Sequence, residues 1–157
     1  MKEIQGTIRG EGIKVSIVVS RFNSQVTRRL VEGCVDMLQR LGVRPDDITV
    51  YWTPGSLEVP PLIQQLLKHN RTGAGIIALG AVIRGQTPHF DVVAQQVSRN
   101  IGQLSLQSPV PIIFGILTTD TLEQALERAG GKMGNRGADV AIALLEMIAL
   151  YRQLPSQ

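Results

Sequence analysis

The sequence predicts an α/β protein: a three-layer α/β/α sandwich with helices on both faces of a four-stranded parallel sheet. Strand-like and helix-like segments alternate along the chain, and the strand-like segments are short and rich in β-branched residues. Alternating strands and helices imply right-handed crossovers, which produce a parallel sheet covered on both faces. The 157 residues have the length of one domain. We therefore expect a single domain over residues 1–157 with a flavodoxin-like arrangement of strands.

The individual elements follow from the spacing of apolar residues. Short β-branched runs predict buried strands, and apolar residues three or four positions apart predict amphipathic helices. Gly42 suits the C-cap of the first helix, and Pro60 and Pro61 are tolerated near the start of the second. Thr87 and Pro88 suit the N-cap and first turn of the third helix. The strands are predicted at residues 13–20, 48–53, 75–83 and 111–117, and the helices at residues 23–41, 56–70, 88–106, 121–129 and 135–151.

Composition argues against several classes of function. The net charge is +3 and aromatic residues make up only 4% of the chain, so we expect no nucleic-acid partner that would need basic patches with stacking aromatics. Charged residues and glycines interrupt every apolar run, so no membrane span is predicted. Residues 1–6 lack the apolar core of a signal peptide, and we therefore expect a cytoplasmic protein.

The single cysteine, Cys34, lies on the apolar face of the first predicted helix. It cannot form an internal disulfide, and it lacks the partners of a cysteine-based zinc site. We interpret it as a small buried hydrophobe. The nucleophile-elbow, P-loop and HExxH patterns are also missing from the sequence. We therefore expect a site that uses no metal.

Residues suited to ligand chemistry follow each predicted strand. Phe22 and Asn23 follow the first strand, and the runs 55–58, 84–91 and 118–120 follow the second, third and fourth. Ligands of open parallel sheets bind beyond the carboxyl ends of the strands. Because parallel strands end at the same edge of a sheet, we expect these four turns to form one site.

The run 84–91 is the strongest candidate for an anion site. Arg84 and His89 flank Gly85 and a predicted helix start, where free N–H groups attract phosphate. His89 is the best acid/base candidate, because a helix start favours the neutral imidazole that accepts and returns protons. His69, near the end of a helix, is interpreted as structural or solvent-facing. An ordinary strand-to-helix turn is the alternative interpretation of this run.

Each of the other candidates near the first two strands has two interpretations. Phe22 can anchor the following helix or stack on a flat heterocycle. Asn23 can cap that helix, bind a ligand, or both. Glu58 can complement a helix dipole or accept hydrogen bonds from ligand hydroxyls, and Ser56 is interpreted as a helix cap.

The basic pair Arg128 and Lys132 flanks Gly130 and Gly131. The two side chains can compensate the dipole of the preceding helix. Alternatively, they can clamp a phosphate, for which the arginine fork is well suited. Both interpretations stay open at this point.

Five segments together resemble the lumazine synthase (6,7-dimethyl-8-ribityllumazine synthase) family. Each motif is weak alone, but they follow the family's order over essentially the whole chain. The resemblance implies the penultimate step of riboflavin synthesis, in which 5-amino-6-(D-ribitylamino)uracil condenses with 3,4-dihydroxy-2-butanone 4-phosphate and releases phosphate and water. The segments that carry it are residues 18–23, 54–60, 79–91, 111–119 and 124–137.

The resemblance also implies roles for the candidate residues, without any cofactor. His89 is the catalytic residue, which transfers protons during imine formation and phosphate elimination. Phe22 stacks on the pyrimidine, and Arg128, with Phe114 and Lys132, comes from a neighbouring subunit to close a shared site. The substrate-binding residues implied in this way are Phe22, Asn23, Gly55, Ser56, Leu57, Glu58, Ala81, Val82, Ile83, Gly85, Gln86, Thr87, Phe114, Arg128 and Lys132.

Family members assemble from pentamers, some of which form decamers or icosahedral capsids. The resemblance therefore implies a homo-oligomer built from pentamers, in which residues 1–10 form an extended arm that contacts a neighbouring subunit. The short turn at 130–137 is similar to that of capsid-forming members. Riboflavin synthase is a candidate partner protein.

Two rival functions remain open. An archaeal-type riboflavin synthase has the same fold but dismutates two lumazines, and a non-catalytic shell protein would only bind flavin or lumazine. The run 84–91 with the pair Arg128 and Lys132 favours a phosphorylated substrate over the first rival. The presence of His89 argues against the second.

Overall fold

A computed structural model describes residues 1–154 and contains a four-stranded sheet in which every neighbouring pair of strands is parallel. The strand order is β2-β1-β3-β4, so β1 and β3 are central and β2 and β4 are the edges. This arrangement confirms the predicted fold class. The strands are β1 (Val15–Ser20), β2 (Ile48–Thr53), β3 (Gly75–Ile83) and β4 (Ile112–Thr119).

Helices cover both faces of the sheet and complete the three layers. α1 packs against α5 on one face, and α2 packs against α3 on the other. None of the helices in residues 1–154 combines the length and the apolarity that a membrane-crossing segment needs. The helices are α1 (Ser24–Arg40), α2 (Val59–Lys68), α3 (Phe90–Gln107), α4 (Leu122–Glu127) and α5 (Arg136–Gln153).

The central strand β3 shows why the sequence contains unbroken apolar runs. All nine of its residues are buried, and successive side chains point to opposite faces. Ile77 and Leu79 join the core beneath α1 and α5, whereas Ile76 and Ala78 join the core beneath α2 and α3. A strand that is covered on both faces gains stability from apolar residues at every position, so it loses the polar alternation of a half-exposed strand.

Two helices begin later than the sequence predicts. α3 begins at Phe90, and its N-cap is His89 in the left-handed conformation (φ 57°), so the predicted cap at Thr87 is wrong. A hydrogen bond from the Gln86 amide to the Ile83 carbonyl (3.2 Å) closes a separate turn before it. α2 is preceded by a 3-10 turn at Ser56–Glu58, in which no side chain caps the turn.

The segment between α4 and α5 forms a short antiparallel hairpin that the sequence analysis did not predict. β5 (Ala129–Gly131) pairs with β6 (Gly134–Asn135). Gly130 and Gly134 adopt positive φ angles (104° and 82°), which a glycine reaches without steric cost. As a result, α4 ends at Glu127 rather than at residue 129.

The N-terminal arm, residues 1–10, lies against its own chain at Gln5, Gly6 and Gly10. The Gln153 side chain donates a hydrogen bond to the Gln5 carbonyl (2.7 Å), and the Gly10 amide donates to the Leu41 carbonyl (2.8 Å). Gly6 approaches α5 so closely that a Cβ atom there would collide with the Glu146 carbonyl oxygen. Contact between the arm and a neighbouring subunit remains a prediction.

The contact between α1 and α5 depends on glycine at position 137. The Asn135 side chain caps α5 by accepting hydrogen bonds from the amides of Gly137 (2.8 Å) and Ala138 (3.2 Å). Its amide group also donates to the Arg29 carbonyl of α1 (3.0 Å). A Cβ atom at Gly137 would collide with the Leu30 carbonyl oxygen, so the two helix backbones need this residue to approach.

We expect Gly137→Ala to lower the free energy of unfolding by about 1–3 kcal/mol, since the added methyl forces the helices apart. Gly102→Ala in α3 is the matched control, because a Cβ atom there meets no other atom within 4 Å and alanine favours a helix by about 0.5–1 kcal/mol. Chemical denaturation measures both changes. Equal stability of the two variants would contradict the close contact.

Cys34 is fully buried in the core beneath α1 and α5, as predicted. Burial raises the pKa of its thiol from 9.0 to about 12. The unfolded chain releases the thiol proton at a lower pH than the folded protein. The folded protein is therefore most favoured below the unfolded pKa, and it loses stability as the pH rises from there through the folded value. The nucleophilic thiolate is therefore scarce in the folded protein at ordinary pH.

Iodoacetamide should label Cys34 at mildly alkaline pH only as fast as the protein unfolds, whereas labelling in denaturant should be complete. Mass spectrometry follows the reaction, and a Cys34→Ala variant gives the background. Rapid stoichiometric labelling of the folded protein would show that the thiol is accessible.

Candidate functional site

A cavity of about 220 Å³ opens beyond the carboxyl ends of β1, β2 and β3. This position is the topological switch point, where the chain passes from β1 to an edge strand on one side and to β3 on the other. We call it the switch-point cavity. Its lining residues are Phe22, Gly55, Ser56, Leu57, Glu58, Ala81, Val82, Thr87, Pro88 and Val93.

Backbone hydrogen bonds hold the first two turns of the cavity together. The Arg21 amide donates to the Thr53 carbonyl (2.7 Å), and the Phe22 amide donates to the Pro54 carbonyl (3.1 Å). These bonds continue the pairing of β1 with β2 past the ends of both strands. Backbone hydrogen bonds therefore place Phe22 beside the 55–58 turn, and its ring takes no part in them.

Asn23 ties the same turn to β3. Its backbone is left-handed (φ 63°), and its side-chain amide donates to the Ala81 carbonyl (3.0 Å). The side chain does not cap α1, so that interpretation is wrong. One of the two N–H donors of this amide is already used within the protein, and direct contact between Asn23 and a ligand stays a prediction.

Phe22 and Leu57 form the exposed apolar part of the cavity wall. Their side chains are 51% and 47% exposed, which is far more than a residue that only anchors a helix requires. A half-exposed ring at a cavity wall can stack on a flat heterocycle. The geometry therefore favours the platform interpretation of Phe22.

Ser56 lines the cavity, and its hydroxyl lies beside Ser20 and Gly80, which are not among the lining residues. The Ser56 hydroxyl donates to the Ser20 hydroxyl (3.4 Å) rather than capping a helix, which corrects the prediction for Ser56. A Cβ atom at Gly80 would lie 2.8 Å from the Ser20 oxygen and 3.0 Å from the Ser56 oxygen. Glycine at this position therefore leaves room for both hydroxyls. Glu58, at the end of the same 3-10 turn, supplies an exposed carboxylate to the wall.

The β3–α3 turn forms the opposite wall. Thr87 and Pro88 line the cavity, and the exposed His89 follows directly. His89 thus lies next to the wall opposite Phe22, although it is not itself among the lining residues. The Ile83 side chain is buried beneath α1, and its carbonyl accepts the Gln86 amide. That amide is consequently engaged in the turn.

Arg84 already binds two carboxylates of its own chain, which the sequence did not predict. Its guanidinium binds Asp120 (Nε to Oδ1, 2.9 Å) and Asp91 (Nη2 to Oδ1, 3.3 Å). The hydrogen bond to Asp120, followed by that to Asp91, raises the pKa of Arg84 above its ordinary value. Its charge is therefore compensated by two carboxylates.

Phe114 and Arg128 lie in a second cavity of about 430 Å³ at the free edge of β4, which we call the β4-edge cavity. The two cavities share no lining residue, so the expectation that all four strand ends form one site is wrong within a single chain. The lining residues are Phe114, Ile116, Leu117, Thr118, Thr119, Arg128, Met133, Arg136 and Asp139.

The two basic candidates near this cavity differ in their surroundings. Arg128 is half-buried at the C-cap of α4, where its guanidinium donates to the Gln124 carbonyl (2.9 Å). This contact agrees with compensation of the helix end, and the side chain also lines the cavity. Lys132 is exposed in the turn between β5 and β6 and is not among the lining residues.

Two lining residues, Pro88 and Val93, are not among the predicted site residues. Pro88 precedes α3 instead of lying in its first turn, and Val93 also packs against the core beneath α2 and α3. Helical spacing predicts the core contact and carries no signal of the cavity contact. In the part of the chain that the structure describes, no group of three or more His, Cys, Asp or Glu residues could hold a metal ion.

Two comparisons with known proteins point to the same family, and each covers nearly the whole chain. The sequence model of the 6,7-dimethyl-8-ribityllumazine synthase family matches residues 12–152. A 6,7-dimethyl-8-ribityllumazine synthase from Kosmotoga olearia is 49% identical over 154 residues, which cover 98% of each chain.

Proposed function

Because the chain belongs to the 6,7-dimethyl-8-ribityllumazine synthase family, we propose that it condenses 5-amino-6-(D-ribitylamino)uracil with 3,4-dihydroxy-2-butanone 4-phosphate in the switch-point cavity. The family makes it a transferase of riboflavin biosynthesis. The observation that carries the site assignment is the half-exposed Phe22 ring in a cavity wall that also contains Ser56 and Glu58. A flat pyrimidine with a hydroxylated side chain matches such a surface.

The switch-point cavity provides a position for each part of the first substrate. Phe22 stacks on the pyrimidine ring, and the backbone of Val82 and Ile83 hydrogen-bonds its edge. Ser56, Leu57 and Glu58 contact the ribityl chain, where the Glu58 carboxylate accepts hydrogen bonds from hydroxyl groups. Gly55 and Ala81 complete the wall.

The phosphate of the second substrate lies at the β3–α3 turn. The first amides of α3 have no acceptor within the helix, and the N-cap side chain of His89 does not bind them, so they are suited to an anion. Gly85 and Thr87 contribute to the same cradle. Since the Gln86 amide bonds to Ile83, Gln86 acts through its side chain.

The reaction requires positioning and proton transfer but no cofactor. The amine attacks the ketone carbonyl and water leaves to give an imine, after which phosphate is eliminated and the ring closes with loss of a second water. Both reactants are intrinsically reactive, so holding them in contact supplies a large share of the rate. His89, next to the phosphate cradle, accepts and returns the protons.

A neighbouring subunit completes the site. Phe114, Arg128 and Lys132 lie on or beside the β4 edge, away from the switch-point cavity of their own chain. A head-to-tail contact would place this edge over the cavity of the next copy, and repetition of that contact closes a ring. The same proposal includes a homo-oligomer built from pentamers, with an icosahedral capsid as one of its forms, in which residues 1–10 contact a neighbouring subunit. It also includes a cytoplasmic location and riboflavin synthase as a partner protein.

His89→Ala should lower kcat by about 10²-fold or more while the fold is retained, because the proton transfers lose their general acid and base. Lumazine absorbance follows turnover, and circular dichroism checks the fold. His69→Ala, at the C-cap of α2, is the matched control and should match the parent enzyme. A His89→Ala enzyme with unchanged kcat would remove the proton-transfer role.

Mixed oligomers test whether the site is shared. His89→Ala and Arg128→Ala subunits should each be nearly inactive alone, but rings assembled from equal amounts should recover about a quarter of the parent activity. Only a shared site lets an intact cavity of one subunit meet an intact Arg128 of the next. Persistent inactivity of mixed rings, with mixing verified by mass spectrometry, would place Arg128 in its own chain's site.

A further inference from the structure

Arg84 joins two turns of the chain through three contacts. Its Nε donates to Asp120 (2.9 Å), and its Nη2 donates to Asp91 (3.3 Å). The guanidinium carbon also lies 4.5 Å from the centroid of the Phe90 ring, a cation–π contact. Arg84 comes directly after β3, whereas Phe90 and Asp91 begin α3. The contacts therefore close both ends of the 85–89 turn.

Asp120 connects this turn to the end of β4 and to α4. The Arg84 amide donates to the Thr119 carbonyl at the end of β4 (2.9 Å), so backbone and side chain anchor the turn at one place. The Asp120 amide in turn donates to the Gln124 side chain (2.9 Å), and the Gln124 carbonyl accepts from Arg128 (2.9 Å). One continuous set of hydrogen bonds thus runs from the β3–α3 turn to α4.

These ion pairs are exposed, with the Arg84 side chain 52% exposed. Pairs of this kind contribute little to global stability because solvent screens them. Their geometry matters more, since the planar fork meets two carboxylates while one face stacks on a ring. The effect to expect is local: a fixed path for the turn that carries His89.

We propose that Arg84 is a positioning residue for the reaction, which holds the 85–89 turn so that its amides and His89 meet the phosphorylated substrate. The assignment rests on the proposed function of this site. In this role Arg84 acts through the turn and not on a reacting atom, since its Nε and Nη2 donors bind Asp120 and Asp91. Its loss would free the turn and leave two uncompensated carboxylates beside the phosphate cradle, which repel a dianion.

The test is steady-state kinetics of Arg84→Ala and Arg84→Lys with each substrate varied in turn. Arg84→Ala should raise KM for the phosphorylated ketone and lower kcat, with a combined loss of between about tenfold and about a hundredfold, while KM for the pyrimidine stays unchanged. Arg84→Lys should recover only a small part, because an ammonium group cannot bind both carboxylates and stack on the ring. Arg40→Ala, which breaks an exposed pair with Asp36 (2.8 Å) on α1, is the control and should match the parent enzyme.

Three results would overturn the proposal: parent kinetics for Arg84→Ala, full recovery with Arg84→Lys, or an equal rise in KM for both substrates. Asp120→Asn is a second, milder variant that should shift the same constants in the same direction. Circular dichroism and the fluorescence of Trp52, the single tryptophan, verify folding. Absence of lumazine formation by the parent enzyme would reject the proposed function, whereas an active parent with an unaffected Arg84→Ala rejects only the positioning role.

Discussion

The candidate site depends on the parallel pairing of β1 with β2 on one side and with β3 on the other. In this register Ser20 lies opposite Thr53, and Val19 lies opposite both Trp52 and Leu79. The three strands therefore end near one edge, and the turns that follow them open in the same direction. Burial of β3 on both faces stabilises this pairing, because exposure of its apolar side chains would be costly.

Hydrogen bonds beyond the strand ends convert this shared edge into a shaped cavity. Phe22 is positioned by its backbone and Asn23 by its side chain. The Phe22 ring, which lines the cavity, takes no part in these hydrogen bonds. The same division applies to the β3–α3 turn, where Arg84 and its carboxylate partners hold the chain while His89 is exposed. In both turns the groups that make the hydrogen bonds and ion pairs are therefore different from the exposed Phe22 and His89 side chains.

β4 is an edge strand of the sheet, and a cavity opens beside it. Arg128 and Phe114 line a cavity of their own, and an arginine in an open cavity is well suited to an anion that a neighbouring chain holds. Under the proposed function, assembly and catalysis are linked, since each ring contact would also complete a site. The hydrogen bonds from Arg84 through Asp120 and Gln124 to Arg128 would then join the two half-sites that one chain contributes.

The sequence alone determined the fold class, the four strands of the sheet, the buried Cys34 and the turns that surround the switch-point cavity. These features depend on the spacing of apolar residues and on the alternation of strand-like and helix-like segments along the chain, which can be read from the sequence itself. Only the tertiary structure decided that α3 starts at Phe90, that Ser56 bonds to Ser20, that Arg84 is neutralised by two carboxylates and that the β4 turn belongs to a separate cavity. Each of these features depends either on groups that are distant in sequence or on the geometry of a turn. In such turns hydrogen bonds and left-handed backbone conformations override helix propensity. The spacing of residues along the chain does not indicate contacts of this kind.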